Sequence, residues 1–167
     1  MAEAESRHTI VVLVDNEPGV LARVIGLFSG RGYNIESLTV AEVDKERGRS
    51  RINIVTTGTE QVIEQIRNLL AKLVPVHKVQ DLTIDGPHVE RELALVKVTG
   101  DRERLIAALR VADFMRARLV DSSPRSFVFE MTGSSEELDA FIALVEPVEV
   151  SRAGVVAIAR GENVLSA

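Results

Sequence analysis

Apolar residues recur along the first half of the chain with two different spacings. Short runs rich in Val and Ile, such as "HTIVVLVD" at 8–15, are typical of buried strands. Apolar residues three or four positions apart predict helices, and Val20, Val24 and Phe28 mark one such face. The predicted strands are 8–15, 33–43, 50–58 and 76–84, and the predicted helices are 18–29 and 59–73. The first half therefore has the order βαββαβ.

The same order returns after "GPHVER" at 86–91, which we interpret as a joint. Here the predicted strands are 92–100, 116–123, 125–133 and 148–160, and the predicted helices are 101–115 and 134–145. We expect Ser134 or Ser135 to cap the last helix, with Glu137 in its first turn. We also expect the last strand to break near Gly154. The pattern predicts an α+β protein with two consecutive ferredoxin-like βαββαβ units, 1–85 and 86–167.

Composition narrows the class of protein. Nearly half of the 167 residues are apolar but only 4% are aromatic, so the core is expected to be aliphatic. A formal net charge of −5 argues against a nucleic-acid partner, because binding phosphates needs a basic face. There is no cysteine, and no apolar stretch approaches the roughly 18 residues of a membrane span. We expect a cytoplasmic protein without disulfides, thiolate metal sites or membrane contact.

No catalytic, cofactor-binding or metal site is recognisable in the sequence. His8, His77 and His88 have no second ligand at metal-binding spacing, and we interpret them as ordinary surface or strand-end histidines. The serines lie in predicted turns and caps, and neither a G-x-S-x-G motif nor a glycine-rich phosphate loop occurs. An RNA-recognition module is disfavoured because strand 50–58 has no aromatic residue on which a base could stack.

The start of the first helix, "NEPGVL" at 16–21, is the candidate binding site. Free amides and the positive end of the helix dipole together favour an anion, and a carboxylate fits there. Gly19 has no side chain to keep a ligand away, and Val20 and Leu21 offer an apolar wall. Asn34, just past the same helix, carries an amide that can meet an ammonium or a carboxylate group. Such a combination suits a small apolar amino acid.

A purely structural interpretation explains the same residues. Asn16 can cap the helix, with Pro18 in its first turn, and Gly19 can be incidental. Asn34 can be a loop residue that follows Gly32. The residues alone favour this structural interpretation over the binding site.

A resemblance to a known family changes that balance. "NEPGVLARVIGLFSGRGYNIESLTV" resembles the N-terminal ACT domain of the regulatory (small) subunit of acetohydroxyacid synthase, also called acetolactate synthase. Its part "RVIGLFSGRGYNIESLTV" is specific to that family, and the likeness continues through "IEQIRNLLAKLVPVHKVQDL" and "HVERELALVKV". It is weaker in "RAGVVAIARG", and the helix "DRERLIAALRVADFM" matches the family poorly.

The resemblance implies a non-catalytic subunit. Members of the family bind a catalytic large subunit, which carries thiamine diphosphate, FAD and magnesium, and raise its activity. They also confer feedback inhibition by valine, often with leucine or isoleucine effects, and their ACT domains pair side by side. The family arrangement implies that effector-binding residues of one subunit face those of its partner across a homodimer: Asn16, Gly19, Val20 and Leu21 on one side, Asn34 and Ile35 on the other.

The resemblance also implicates the C-terminal domain in contact with the catalytic subunit. Two other functions stay open at this point. One is an ACT-type amino-acid sensor that regulates a different enzyme, and the other is an uncharacterised small enzyme.

Overall fold

The computed structural model describes residues 3–166. Its helices are α1 (Val20–Ser29), α2 (Glu60–Ala71), α3 (Arg102–Met115) and α4 (Ser135–Val145). Its strands are β1 (Ser6–Asp15), β2 (Ile35–Asp44), β3 (Arg49–Gly58), β4 (Val76–Asp81), β5 (His88–Thr99), β6 (Arg118–Ser123), β7 (Ser126–Gly133), β8 (Glu149–Arg152) and β9 (Val156–Ala159). No helix within 3–166 combines the length and the apolar character needed to cross a bilayer.

The strands form two antiparallel sheets with equivalent orders. The first sheet has the order β2-β3-β1-β4, and the second has the order β6-β7-β5-β8, with β9 pairing separately with β5. Each unit places its two helices over one face of its sheet, as the core clusters show. This is the ferredoxin-like arrangement, so the predicted fold class is confirmed.

Strand β1 is buried on both of its faces. Ile10, Val12 and Val14 point towards α1 and α2 and join the main core of the first unit. Thr9 and Val11 alternate with them and are also fully buried, although they point to the opposite face of the sheet. Something other than the two helices must therefore cover that second face.

The two units differ in the composition of their cores. The first core is aliphatic apart from Phe28, as the composition predicts. The second contains a chain of three phenylalanines, in which Phe129 meets Phe127 and Phe141 edge to face at 6.1 and 5.9 Å. Such pairs stabilise a core by about 0.5–1.5 kcal/mol beyond the area they bury. The prediction of an aliphatic core is therefore incomplete for the second unit.

The chain divides between the units differently from the predicted boundary at 85/86. The first unit runs to Val89 and takes in the chain again from Val155 onward, while the second is Glu90–Gly154. The break predicted near Gly154 is confirmed, since this glycine has a φ of +92° and separates β8 from β9. The second unit is therefore an insertion within the first.

Candidate functional site

Helix α1 begins at Val20, two residues later than the sequence predicts, and without a side-chain cap. Gly19 is its N-cap, with a φ of +85° that glycine adopts at little cost. Pro18 lies in the preceding turn, and the Asn16 amide N–H donates to the Gly48 carbonyl at 2.7 Å. The predictions that Asn16 caps the helix and that Pro18 occupies its first turn are wrong, because the left-handed turn at Gly19 redirects the chain.

The first amides of α1 remain available to a ligand. The N–H groups of Leu21 and Ala22 have no acceptor within residues 3–166, and the first turn carries no acidic residue. A Cβ added at Gly19 would meet no atom within 4 Å, so the space beside these amides is open. Free amides and the helix dipole favour an anion at this point.

The other three described helices begin differently. Thr59 caps α2, Asp101 caps α3, and Ser134 caps α4 in a reciprocal capping box with Glu137, as the sequence predicts. An open start is therefore a particular property of α1 and not a general feature of this fold.

The apolar residues predicted for the site have different surroundings. Val20 is only 4% exposed and packs in the core, and its N–H donates to the Glu17 carbonyl, so it does not offer a ligand an apolar wall. That part of the prediction is wrong, because the first turn of an amphipathic helix directs this position inward. Leu21 and Ile35 are half-buried at the margin of the same core and keep part of their surface accessible.

Asn34 lies immediately before β2 and is exposed. Its carbonyl accepts a hydrogen bond from Thr56 Oγ1 at 2.6 Å, which fixes the backbone at the start of the strand. Its side-chain amide has no partner in the described part of the chain. Both the donor and the acceptor of that amide are thus free to meet a ligand.

One chain does not bring Gly19 and Asn34 together. Gly19 follows the end of β1 at Asp15, whereas Asn34 is bonded to Thr56, which pairs with His8 near the start of β1. At about 3.3 Å per residue, His8 and Asp15 are roughly 23 Å apart along the strand. The predicted residues therefore lie in two separate groups at opposite ends of the first sheet.

Comparisons with known proteins decide the family. A family model described as "AHAS small subunit-like ACT domain" matches residues 10–78, and another described as "Small subunit of acetolactate synthase" matches residues 91–161. The chain belongs to the acetolactate synthase small subunit family. The resemblance predicted from the sequence is thus confirmed, and the first unit is an ACT domain.

Individual members of the acetolactate synthase small subunit family match over nearly their whole length. The isozyme 3 small subunit of Escherichia coli (strain K12) is 44% identical over 163 residues, which cover 95% of this chain and 99% of that protein. The small subunit of Mycolicibacterium smegmatis is 39% identical over 170 residues, which cover 100% and 99%. The crystal structure of the Thermotoga maritima small subunit has a TM-score of 0.84 at 36% identity, covering 95% of this chain and 99% of that one.

A second polar cluster in this ACT domain was not predicted. Ser6 Oγ lies 2.9 Å from His8 Nε2, and His8 Nδ1 lies 2.7 Å from Asp81 Oδ2, although Asp81 is 73 residues away. The order resembles a nucleophile, base and orienting carboxylate. The cluster borders a surface cavity of about 460 Å³, whose lining is Ser6, His8, Glu60, Ile63, Glu64, Arg67 and Ile84.

The charges around this cavity argue against acyl transfer at Ser6. Acyl transfer needs donors that stabilise a developing oxyanion, whereas the carboxylates of Glu60 and Glu64 outnumber the one guanidinium of the lining. Asp81 is fully buried, and a buried carboxylate requires hydrogen-bond donors. We therefore interpret the Ser6–His8–Asp81 chain as the means by which the buried Asp81 is satisfied.

The second unit contains an ion pair between the buried Glu92 of β5 and the partly exposed Arg152 of β8. Arg152 Nε and Nη2 donate to the two oxygens of Glu92 at 2.8 and 2.9 Å, and Arg152 Nη1 donates to Asp139 of α4. The hydrogen bonds from Arg152 hold the pKa of the Glu92 carboxyl below its ordinary value, with its burial opposing them. The 60-residue separation explains why the sequence pattern does not reveal the pair.

Proposed function

We propose that this small subunit activates the catalytic large subunit of acetolactate synthase and makes it sensitive to valine, or to another branched-chain amino acid. Thiamine diphosphate, FAD and magnesium belong, in this proposal, to the catalytic subunit. The observation that carries the proposal is the open start of α1. Its unpaired amides and vacant space beside Gly19 suit the carboxylate of an amino acid.

The proposal assigns the remaining contacts to a second copy of the chain. The side-chain amide of the partner copy's Asn34 would meet the polar end of the amino acid, and Leu21 and Ile35 would border its side chain. The separation of Gly19 and Asn34 within one chain supports this division, because a ligand of valine's size cannot span roughly 23 Å.

The edge of the first sheet supports pairing between two copies. Strand β2 is an edge strand, so one side of its backbone is free to pair with another strand. Val40 and Val43 of β2 are 46% and 55% exposed, and Arg23 is the single charged residue of α1. Apolar exposure beside a free strand edge is typical of an association surface.

The proposal is tested by reconstitution. The purified chain is added to the isolated catalytic subunit, with and without valine, and pyruvate consumption is followed. We expect the chain alone to show no turnover, with or without the cofactors, the mixture to exceed the catalytic subunit alone, and valine to reduce the gain. Glycine serves as the matched ligand control, because it has both charged groups but no apolar side chain.

Each contrary result contradicts a different part of the proposal. Turnover by the chain alone would refute its non-catalytic role. Absence of activation would point to an ACT-type sensor that regulates a different enzyme. Activation that valine leaves unchanged would refute the effector.

A further inference from the structure

Residues 155–159, here called the strap, cover the sheet face of the first unit that α1 and α2 leave open. Ala157 packs against the buried Val11 and Leu82, with Ala159 at the margin of the same cluster. Val11 alternates with the β1 residues that face the helices, so this cluster lies on the opposite face. The strap therefore supplies the cover that β1 requires on its second side.

Side chains of the sheet hold the strap by its backbone. The Val155 N–H donates to Ser37 Oγ at 2.8 Å, and the Val155 carbonyl accepts from Thr39 Oγ1 at 3.4 Å. The Ala157 N–H donates to Asn53 Oδ1 at 3.3 Å, and Asn53 Nδ2 in turn donates to Thr39 Oγ1 at 2.9 Å. The two β2 hydroxyls, Ser37 and Thr39, thus form a connected latch with Asn53.

Arg51 adds a charged donor to this latch. Its Nη2 donates to the Ala157 carbonyl at 2.6 Å. Burial lowers the pKa of Arg51 from its ordinary value, so the guanidinium is partly desolvated and needs this acceptor. Release of the strap would take the Ala157 carbonyl from Arg51 and the Ala157 N–H from Asn53, so these hydrogen bonds would be lost together.

The latch lies between two functional parts of the chain. Ser37 and Thr39 belong to β2, the strand that begins directly after Asn34, and the register of β2 against β3 shifts between Ile35 and Ser37. At its other end the strap continues through Gly154 into the second unit. A ligand that fixes Asn34 therefore acts on the strand that carries the latch, and the latch holds one of the two chain connections to the second unit.

We propose that the strap transmits effector binding from β2 to the second unit, through the hydroxyls of Ser37 and Thr39. This inference rests on the proposed function, because it deepens the regulation of the same site. The competing explanation is that the strap only covers the apolar face of the sheet. Under that explanation, removal of the two hydroxyls changes stability but not the response to valine.

The first experiment uses the full-length double variant Ser37→Ala/Thr39→Val in the reconstituted complex. We expect valine binding, measured by calorimetry, to stay within twofold of wild type and activation without valine to be unchanged. The valine concentration for half-inhibition is expected to rise at least tenfold. Thr57→Val is the matched control, because its hydroxyl bonds Glu36 of β2 and not the strap.

The outcomes separate this inference from the proposed function. If the wild-type complex does not respond to valine, the proposed function itself is refuted. If the wild-type complex responds to valine and the double variant has the same half-inhibition concentration, the role of the strap is overturned. Loss of valine binding in the double variant also overturns it, because the hydroxyls then serve the binding site and not the transmission.

A second experiment does not depend on the folding of the double variant. The chain has no cysteine, so a single thiol reports one position. Ala159→Cys places the thiol under the strap, and Ile158→Cys, on the exposed outer side, is the control. We expect valine to change the rate of thiol modification at position 159 at least threefold and to leave position 158 unchanged. Equal rates at position 159 with and without valine would overturn the inference.

Discussion

Helices α1 and α3 occupy equivalent positions, since each follows the first strand of its βαββαβ unit. At the start of α3, the Asp101 carboxylate accepts from the Arg104 amide at 2.9 Å, so the protein itself supplies the anion. At the start of α1, Gly19 has a positive φ and supplies none. The same fold thus has a closed helix start in one unit and an open one in the other. The residue at the N-cap, and not the fold, decides whether the first amides of the helix are left open.

The largest expected effect comes from placing an acidic side chain at the open start of α1. Gly19→Asp places a carboxylate beside the free amides of Leu21 and Ala22, so we expect valine to bind at least about 100-fold more weakly, or about 2.7 kcal/mol. Titration calorimetry with valine measures the loss. The variant also places a non-glycine residue at a φ of +85°, which costs on the order of 1–3 kcal/mol of stability.

Gly161→Asp is the matched control for this variant. Gly161 belongs to the same unit, has a φ of +73° and is also surrounded by open space. It therefore reproduces the backbone strain and the added charge away from α1. Equal valine affinity in Gly19→Asp and Gly161→Asp would show that the start of α1 is not the site.

The second unit adds to its apolar core an ion pair between the buried Glu92 and Arg152, and Glu92→Gln tests what this pair contributes. We expect the variant to be less stable at pH 7 by about 1.5–3 kcal/mol, because one of the two acceptors of Arg152 becomes an NH₂ donor and the other hydrogen bond loses its charge assistance. The surface variant Glu130→Gln, which loosens a 3.8 Å pair with Arg118, should change stability by less than about 1 kcal/mol. Denaturant unfolding of the variants measures both values.

The lowered pKa of Glu92 also sets the direction of a pH effect. Its contribution to stability is complete above the ordinary carboxyl value of 4.5 and is lost as the pH falls through the lowered folded-state value. Wild-type protein should therefore lose stability in acid more steeply than Glu92→Gln does. Parallel pH profiles for the two proteins would show that the pair does not contribute in this way.

A smaller effect is expected at Asn34, the residue that the proposal assigns to the partner copy. Asn34→Ala should weaken valine binding about tenfold, or about 1.4 kcal/mol, because a charged group of the ligand loses its amide partner. Valine should also stabilise the wild-type dimer over the monomer, by roughly 2.7 kcal/mol for each site at a ligand concentration of about 100 times its dissociation constant. Sedimentation of dilute protein, with glycine as the control ligand, measures this linkage. A monomer–dimer equilibrium indifferent to valine would place the ligand within one subunit.

Local signals in the sequence predict most of the fold. Alternating and helical spacings locate the strands and helices, Gly30 ends α1, and Ser134 with Glu137 forms the predicted capping box. The open start of α1 is predicted only in part. A proline fits the first turn of a helix and the turn before it equally well, so Pro18 does not reveal that Gly19 is the N-cap.

Long-range structure explains the features that the sequence does not predict. Residues 148–160 read as strand on both sides of Gly154, and nothing in that pattern indicates that residues 155–159 return to the first unit. The contacts between Ser37 and Val155, and between His8 and Asp81, join residues 118 and 73 positions apart. Such pairs depend on the sheet order, which a single sequence leaves undetermined.

The smallest expected effect comes from removing the side-chain cap at the start of α3 in the second unit. Asp101→Ala removes the cap of α3 and should destabilise the protein by about 1 kcal/mol. It should not create a second valine site, although the amide of Arg104 becomes free. The residue that precedes β6 is Ala117, where β2 is preceded by Asn34, so the second unit has no amide with which a partner copy could complete the site. Calorimetry of Asp101→Ala should therefore give the wild-type number of valine molecules per chain. An additional binding event would mean that an open helix start is sufficient by itself, and that Asn34 is not required.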